Sequence, residues 1–126
     1  MESILTSIKK LLGIMSDYTN FDDDIIIHIN TAFAMLNQLG AGPEGGFVIV
    51  DANSRWEDYT TEKNLNMVKT YIYLKVRLLF DPPTSTALIE SINRTLSEIE
   101  WRIFLEGDPK PEEELPSDEE PPSNEE

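Results

Sequence analysis

Apolar residues recur at helical spacing in four segments of this chain, and the second and third of these are separated by an interval that keeps no helical period. In the first segment, Glu2 to Leu12, Ile4, Leu5, Ile8, Leu11 and Leu12 share one side, Ser3, Ser7 and Lys10 stand away from them, and Gly13 is a natural stop. A helix that short is marginal alone in water, so it must dock on the rest of the domain or on a neighbouring subunit. The second segment opens on Asp22, Asp23 and Asp24. Asp22 is the expected N-cap, the following acids suit the positive end of the helix dipole, and Phe21 is placed to staple against Ile26. Its stripe is Ile25, Ile29, Ala32, Leu36 and Leu39, widened by Ile26 and Phe33, and Gly40 ends it.

The third segment should start near Thr60 or Thr61, with Glu62 in its first turn. It should end at Phe80, because Asp81 precedes a proline and is pushed out of the helical region. Leu65, Val68, Ile72, Val76 and Leu79 form one row, with Tyr71, Leu74 and Leu78 beside it. That arc is wider than one packing partner needs, so the helix is either central to a bundle or also faces another subunit. The fourth helix is expected from about Ser85 to Leu105, on a core stripe of Ile89, Ile92, Leu96, Ile99 and Ile103. Glu90 with Arg94, and Glu98 with Arg102, are spaced four apart in the favourable order, each pair contributing ~0.3 to 0.5 kcal/mol on an exposed face.

Between Gly40 and Thr60 the chain is irregular. Gly42-Pro43 and Gly45-Gly46 form turns, Phe47-Val48-Ile49-Val50 is a β-prone run, and Trp56-Glu57-Asp58-Tyr59 follows. A lone strand cannot satisfy its own ladder, so the run must pair with another short segment of this chain or with a neighbour's equivalent loop. The predicted fold class is therefore all-α: a small four-helix bundle with an irregular or short β-containing bridge between helices two and three.

At 126 residues the chain is long enough for one core. Its net charge of −14 is unevenly placed: Asp108 to Glu126 hold nine acids against Lys110, together with prolines and a lone Leu115. This divides the chain into a helical domain over 1–107 and an acidic, Pro/Glu-rich tail over 108–126, expected to be disordered when free. So acidic a chain will not hold nucleic acid by phosphate neutralisation. With no cysteine there are no disulfides, thiolate ligands or thiol chemistry. No signal-peptide order is read at the N-terminus, and no apolar run is long enough to span a membrane.

Catalytic, metal and cofactor residues are all expected to be none. His28 follows Asp24 by one turn, a spacing at which both could touch one metal ion, but two ligands do not make a site and first-turn acids have a simpler explanation. The informative residues are surplus apolar ones. Trp101 lies in a row with Glu90, Arg94, Ser97 and Leu105 on the polar side of helix four, which points to a contact with another chain. The alternative is that helix one or the bridge folds over it, and Phe47 to Val50 and Trp56 present the same choice. The candidate subunit or partner contacts are Phe47, Val48, Ile49, Val50, Trp56, Tyr59, Tyr71, Arg94, Trp101 and Leu105.

A short helix, an Asp-rich helix ending in Leu39-Gly40, a Gly-rich bridge with Trp56-Glu57-Asp58-Tyr59, a long helix into Phe80-Asp81-Pro82-Pro83 and a last helix with Glu100-Trp101-Arg102 follow one another along the chain. From Asp17 to Leu105 this order resembles the small head-tail connector (adaptor) proteins of long-tailed phages and prophages. The resemblance implies a ring of about twelve copies, matching the portal's cyclic symmetry, docked beneath the portal at the capsid vertex. Its implied partners are further copies of itself, the portal protein and the tail-completion (stopper) protein. DNA would pass through the channel without specific binding, in keeping with an acidic wall. The implied location is the head-tail interface of the virion, assembled in the host bacterial cytoplasm. Several adaptors of this family contact the portal through their C-terminal region, which here becomes the acidic tail. The competing readings are an acidic inhibitor or DNA mimic acting on a host nucleic-acid enzyme, and a small metal-dependent enzyme using Asp24 and His28.

Overall fold

A computed structural model describes residues 1–107 of the chain, so the acidic tail at 108–126 lies outside the described residues. Among the described residues four helices form in the expected order, α1 (Ile4–Leu11), α2 (Asp22–Gln38), α3 (Leu65–Phe80) and α4 (Thr86–Gly107), with one 3₁₀ turn at Trp56–Asp58. The all-α bundle therefore holds. No strand forms among the described residues, and the β-type pairing there is one isolated antiparallel bridge between Ser3 and Arg55.

Helix α3 is the central element. It packs against α1, α2 and α4, whereas α4 makes its substantial helix contacts with α3. Ile25, Ile29, Phe33 and Leu36 of α2 meet Val68, Ile72 and Val76 of α3 in the core, and Ile92, Leu96, Ile99 and Ile103 close it from α4. Helix α1 adds Ile4, Leu5 and Ile8. Leu79, expected in the α3 core row, is instead 50 % exposed, while its neighbour Phe80 turns toward Phe21 and His28. At the start of α4, Ser85 Oγ accepts from the Leu88 N–H at 3.2 Å, so Ser85 acts as the cap.

Two helix starts differ from expectation. Asp22 is the first residue of α2 rather than its cap; Phe21 occupies the cap position, and its ring meets Phe80 at 5.3 Å and Tyr18 at 5.7 Å instead of stapling onto Ile26. Asp22 is drawn aside by Lys9, whose Nζ it contacts at 2.8 Å. Helix α3 begins at Leu65, not near Thr60, because the preceding residues are used in turns. The Thr60 N–H closes on Trp56 O at 2.9 Å and the Asn64 N–H on Thr61 O at 3.1 Å.

Candidate interaction surfaces

The bridge is held from inside, by side chains of α1 and α2. Asn30 on α2 supplies both halves of the pairing that the β-prone run lacks: its Oδ1 accepts from the Ile49 N–H at 2.8 Å and its Nδ2 donates to Ile49 O at 2.9 Å. A side-chain amide thus stands in for one residue of a partner strand, and the run satisfies its inward backbone groups without a ladder. Residues then alternate as in a strand. Phe47 and Ile49 turn inward, Phe47 against Phe33 (5.0 Å) and Tyr59 (5.1 Å), while Val48 and Val50 stand 66 % and 77 % exposed.

The far end of the bridge is tied to α1. Trp56 is fully enclosed, and its Nε1–H donates to Ser7 Oγ at 2.7 Å. The Ser7 hydroxyl in turn donates to Ser3 O at 2.8 Å. Backbone bonds from Ile4 N–H to Ser54 O (2.9 Å) and from Trp56 N–H to Glu2 O (3.2 Å) complete the join. As a partner contact Trp56 is corrected: its indole fills the subunit's own core, and so does the side chain of Ile49. Tyr59 is half-buried against Phe33 at 4.5 Å, and its ring lies so close to Gly42 that a Cβ there would come within 2.6 Å of Cε1. Its hydroxyl reaches no partner, beside a cavity of about 260 Å³ lined also by Thr60, Thr61, Asn64, Met67 and Ile103. Burial pushes that phenol up to about 12.

Tyr71 is likewise enclosed and offers no surface, so its place among the partner contacts is corrected too. Its hydroxyl donates to Glu100 Oε2 at 2.7 Å, tying α3 to α4, and Lys75 Nζ lies 3.9 Å from the same carboxylate oxygen. Burial first, then the bond to Glu100, raises the Tyr71 phenol well above its ordinary value.

The outer strip of α4 is different. Arg94, Ser97, Trp101 and Leu105 are all exposed along one side of the helix. Trp101 is 59 % exposed and stacks on Phe104 with ring centroids 6.1 Å apart, and neither α1 nor the bridge folds over it. The Glu98–Arg102 pair forms at 3.1 Å, with both side chains open to solvent.

The His28 ring packs 6.4 Å from that of Phe80, Asp24 is exposed, and among the described residues no three His, Cys, Asp or Glu side chains come together as a metal site. No helix among them is long and apolar enough to cross a membrane. Sequence reasoning missed the polar anchors Asn30, Ser7 and Lys9. Lys9 looks like a surface residue beside the α1 stripe, yet it is 2 % exposed and also donates to Ser16 O (3.1 Å) and Tyr18 O (2.7 Å). A signal was present for Lys9: it falls one turn after Leu5, at the edge of the apolar stripe.

Compared with known proteins, the chain matches a family model described as phage connector protein over residues 4–110, which takes in all four helices. No curated protein and no solved structure matches it.

Proposed function

The chain belongs to the phage connector protein family, and from that premise we propose that it is a ring-forming head-tail connector subunit. It sits beneath the portal, encloses a channel for DNA and offers a docking surface to the tail-completion protein. Membership makes it a structural virion component. The observation that carries the ring is the outer strip of α4. A tryptophan 59 % exposed, stacked on a second exposed ring and flanked by Arg94 and Arg102, is costly surface for a solitary domain and typical of a protein contact. A net charge of −14 supports passage of DNA without retention, since an acidic wall repels a polyanion.

Electron microscopy and mass photometry of the purified protein, alone and with portal, provide the test. Rings are expected at least when portal is present, and a strict monomer that ignores portal would overturn the proposal. Trp101→Ala should weaken assembly more than it lowers the melting temperature. Equal loss of both would mark Trp101 as a folding residue instead.

A further inference from the structure

The exposed side of α4 carries its charges in one row: Glu90, Arg94, Glu98 and Arg102 follow at four-residue intervals, all exposed, with alternating sign. The row is neutral as a whole and is its own complement. At ~1.5 Å of rise per residue its midpoint lies level with Leu96. Turning a second α4 antiparallel about that midpoint brings Glu90 level with the second copy's Arg102 and Arg94 level with its Glu98, so every charge in the row meets an opposite one. Slipping the second helix by one turn in either direction sets like charge against like, and so does a parallel arrangement in register. Rows of this four-residue kind lie alongside one another when two helices cross at about 50°, the commonest packing angle. The Glu98–Arg102 bond within one helix is open to solvent and contributes little, so it does not hold these groups back from a second copy.

Size is divided along the strip in the same sense as charge. The large exposed side chains Trp101 and Leu105 occupy its C-terminal half, and the small exposed Ala87 and Ser91 its N-terminal half. In the antiparallel register Leu105 comes level with Ala87 of the second copy and Trp101 with its Ser91. Each indole thus lies over small residues and does not collide with the other indole.

We infer that two copies of the free protein pair through the outer strip of α4, antiparallel about the level of Leu96. One patch meeting itself uses up both copies and stops at two, so the pair is not a fragment of a ring. It covers Trp101 before assembly and competes with any ring contact made by the same strip, and it must open for that contact to form. Only this last step rests on the ring reading above; the pair itself does not.

Sedimentation velocity of the full chain over a range of concentrations tests the pair, in about 0.15 M salt so that the general repulsion between two acidic chains is screened. Arg94→Glu sets Glu against Glu98 of the second copy, and Glu98→Arg sets Arg against Arg94. Each variant alone should self-associate on the order of tenfold or more weakly than the parent. Mixed in equal amounts they restore every opposite pairing, and association should return to the parent's level. Equal association of parent, single variants and mixture would overturn the pair, as would a parent that stays monomeric up to ~100 μM, where even a weak pair shows. The chain has no cysteine, so a single thiol reads the register without background. Ser97→Cys lies beside the two-fold axis and should give covalent dimers under a short bis-maleimide, whereas the two thiols of Ala87→Cys stand roughly 27 Å apart along the helices and should not. Equal cross-linking of both would overturn the register. Rings with portal from a parent that never pairs would overturn the pair and leave the ring standing; pairs that give no ring when portal is added would support the pair and overturn the ring.

Discussion

Removing the Asn30 side chain should show that the bridge depends on one amide. In Asn30→Ala, two hydrogen bonds to Ile49 disappear together, at 2.8 and 2.9 Å, and no neighbouring strand is present to replace them. Each backbone group left without a partner costs about 1 to 3 kcal/mol; because the site is only part-buried and water can reach it in part, the lower half of that range applies, giving about 2 to 4 kcal/mol in total. Against the 5 to 15 kcal/mol typical of a domain, the variant should fold but melt on the order of 10 °C or more lower. Urea titration followed by circular dichroism measures the loss, and a change below about 0.5 kcal/mol, as for an ordinary surface substitution, would refute the reasoning. Asn30→Asp sharpens the test. Its carboxylate still accepts from the Ile49 N–H but faces the Ile49 carbonyl, which favours the protonated form and raises the folded-state pKa above the ordinary value of about 3.9. The stabilising contribution is then complete below about pH 3.9 and is lost as pH rises through the folded value, so relative to Asn30→Ala this variant should recover stability on acidification. Parallel pH dependence of the two variants would show that Asn30 does not face that carbonyl in solution.

Lys9→Met keeps the length of the side chain but leaves Asp22 and the carbonyls of Ser16 and Tyr18 without their cation; a loss of about 3 kcal/mol is expected in denaturant titration, partly restored by Asp22→Asn in the same chain. Gly42→Ala should destabilise by upwards of about 1 kcal/mol, since φ is +83° and the added methyl meets the Tyr59 ring; Tyr59→Leu should relieve the share due to that contact and leave the share due to φ. In alkali, Tyr59 and Tyr71 hold their protons longer in the folded state than in the unfolded one, where phenols titrate near 10. Their contribution to stability is therefore fully present below about pH 10 and falls as pH rises through the folded value, about 12 for Tyr59. Urea midpoints measured between pH 9 and 12 should decline less steeply in Tyr59→Phe than in the parent.

The four helices were legible because each carries a local period and a local stop, from Gly13 and Gly40 to Pro82. Helix starts were less so. The first turn of α2 is set by a residue of another helix, Lys9 drawing Asp22, and that of α3 is delayed by local turns at Thr60 and Asn64, neither of which the apolar period contains. The bridge was the hardest part to read. Its β-prone run was expected to pair with another segment or a neighbour's loop, but the partner of that run is a single amide nineteen residues earlier rather than a strand. Trp56 misled for a related reason: an indole in an irregular segment looks like surplus surface until Ser7, close to the start of the chain, supplies its acceptor. Trp101 could be judged more directly, because helical geometry alone puts it opposite Ile92, Leu96, Ile99 and Ile103.

The two aromatic surpluses of the sequence therefore have different fates, and the difference bears on assembly. The Trp56 end of the molecule is closed by short polar anchors and needs no neighbour. Helix α4 is attached to one side of the bundle only, through its apolar stripe and the bond from Tyr71 to Glu100. At 22 residues it is roughly 33 Å long, while the 16 residues of α3 span roughly 24 Å, so its whole length cannot be covered by that single support. Glu100 precedes Trp101 in sequence, so the contact that pins α4 to α3 sits on the same turn as the ring that faces outward. In the proposed ring, force applied by a neighbour at Trp101 would thereby be carried into α3, the element that also holds α1 and α2, rather than into a free helix end. A subunit that must transmit load from one neighbour to the next gains from this arrangement, whereas a monomer with only its own core to keep would gain more from burying the tryptophan.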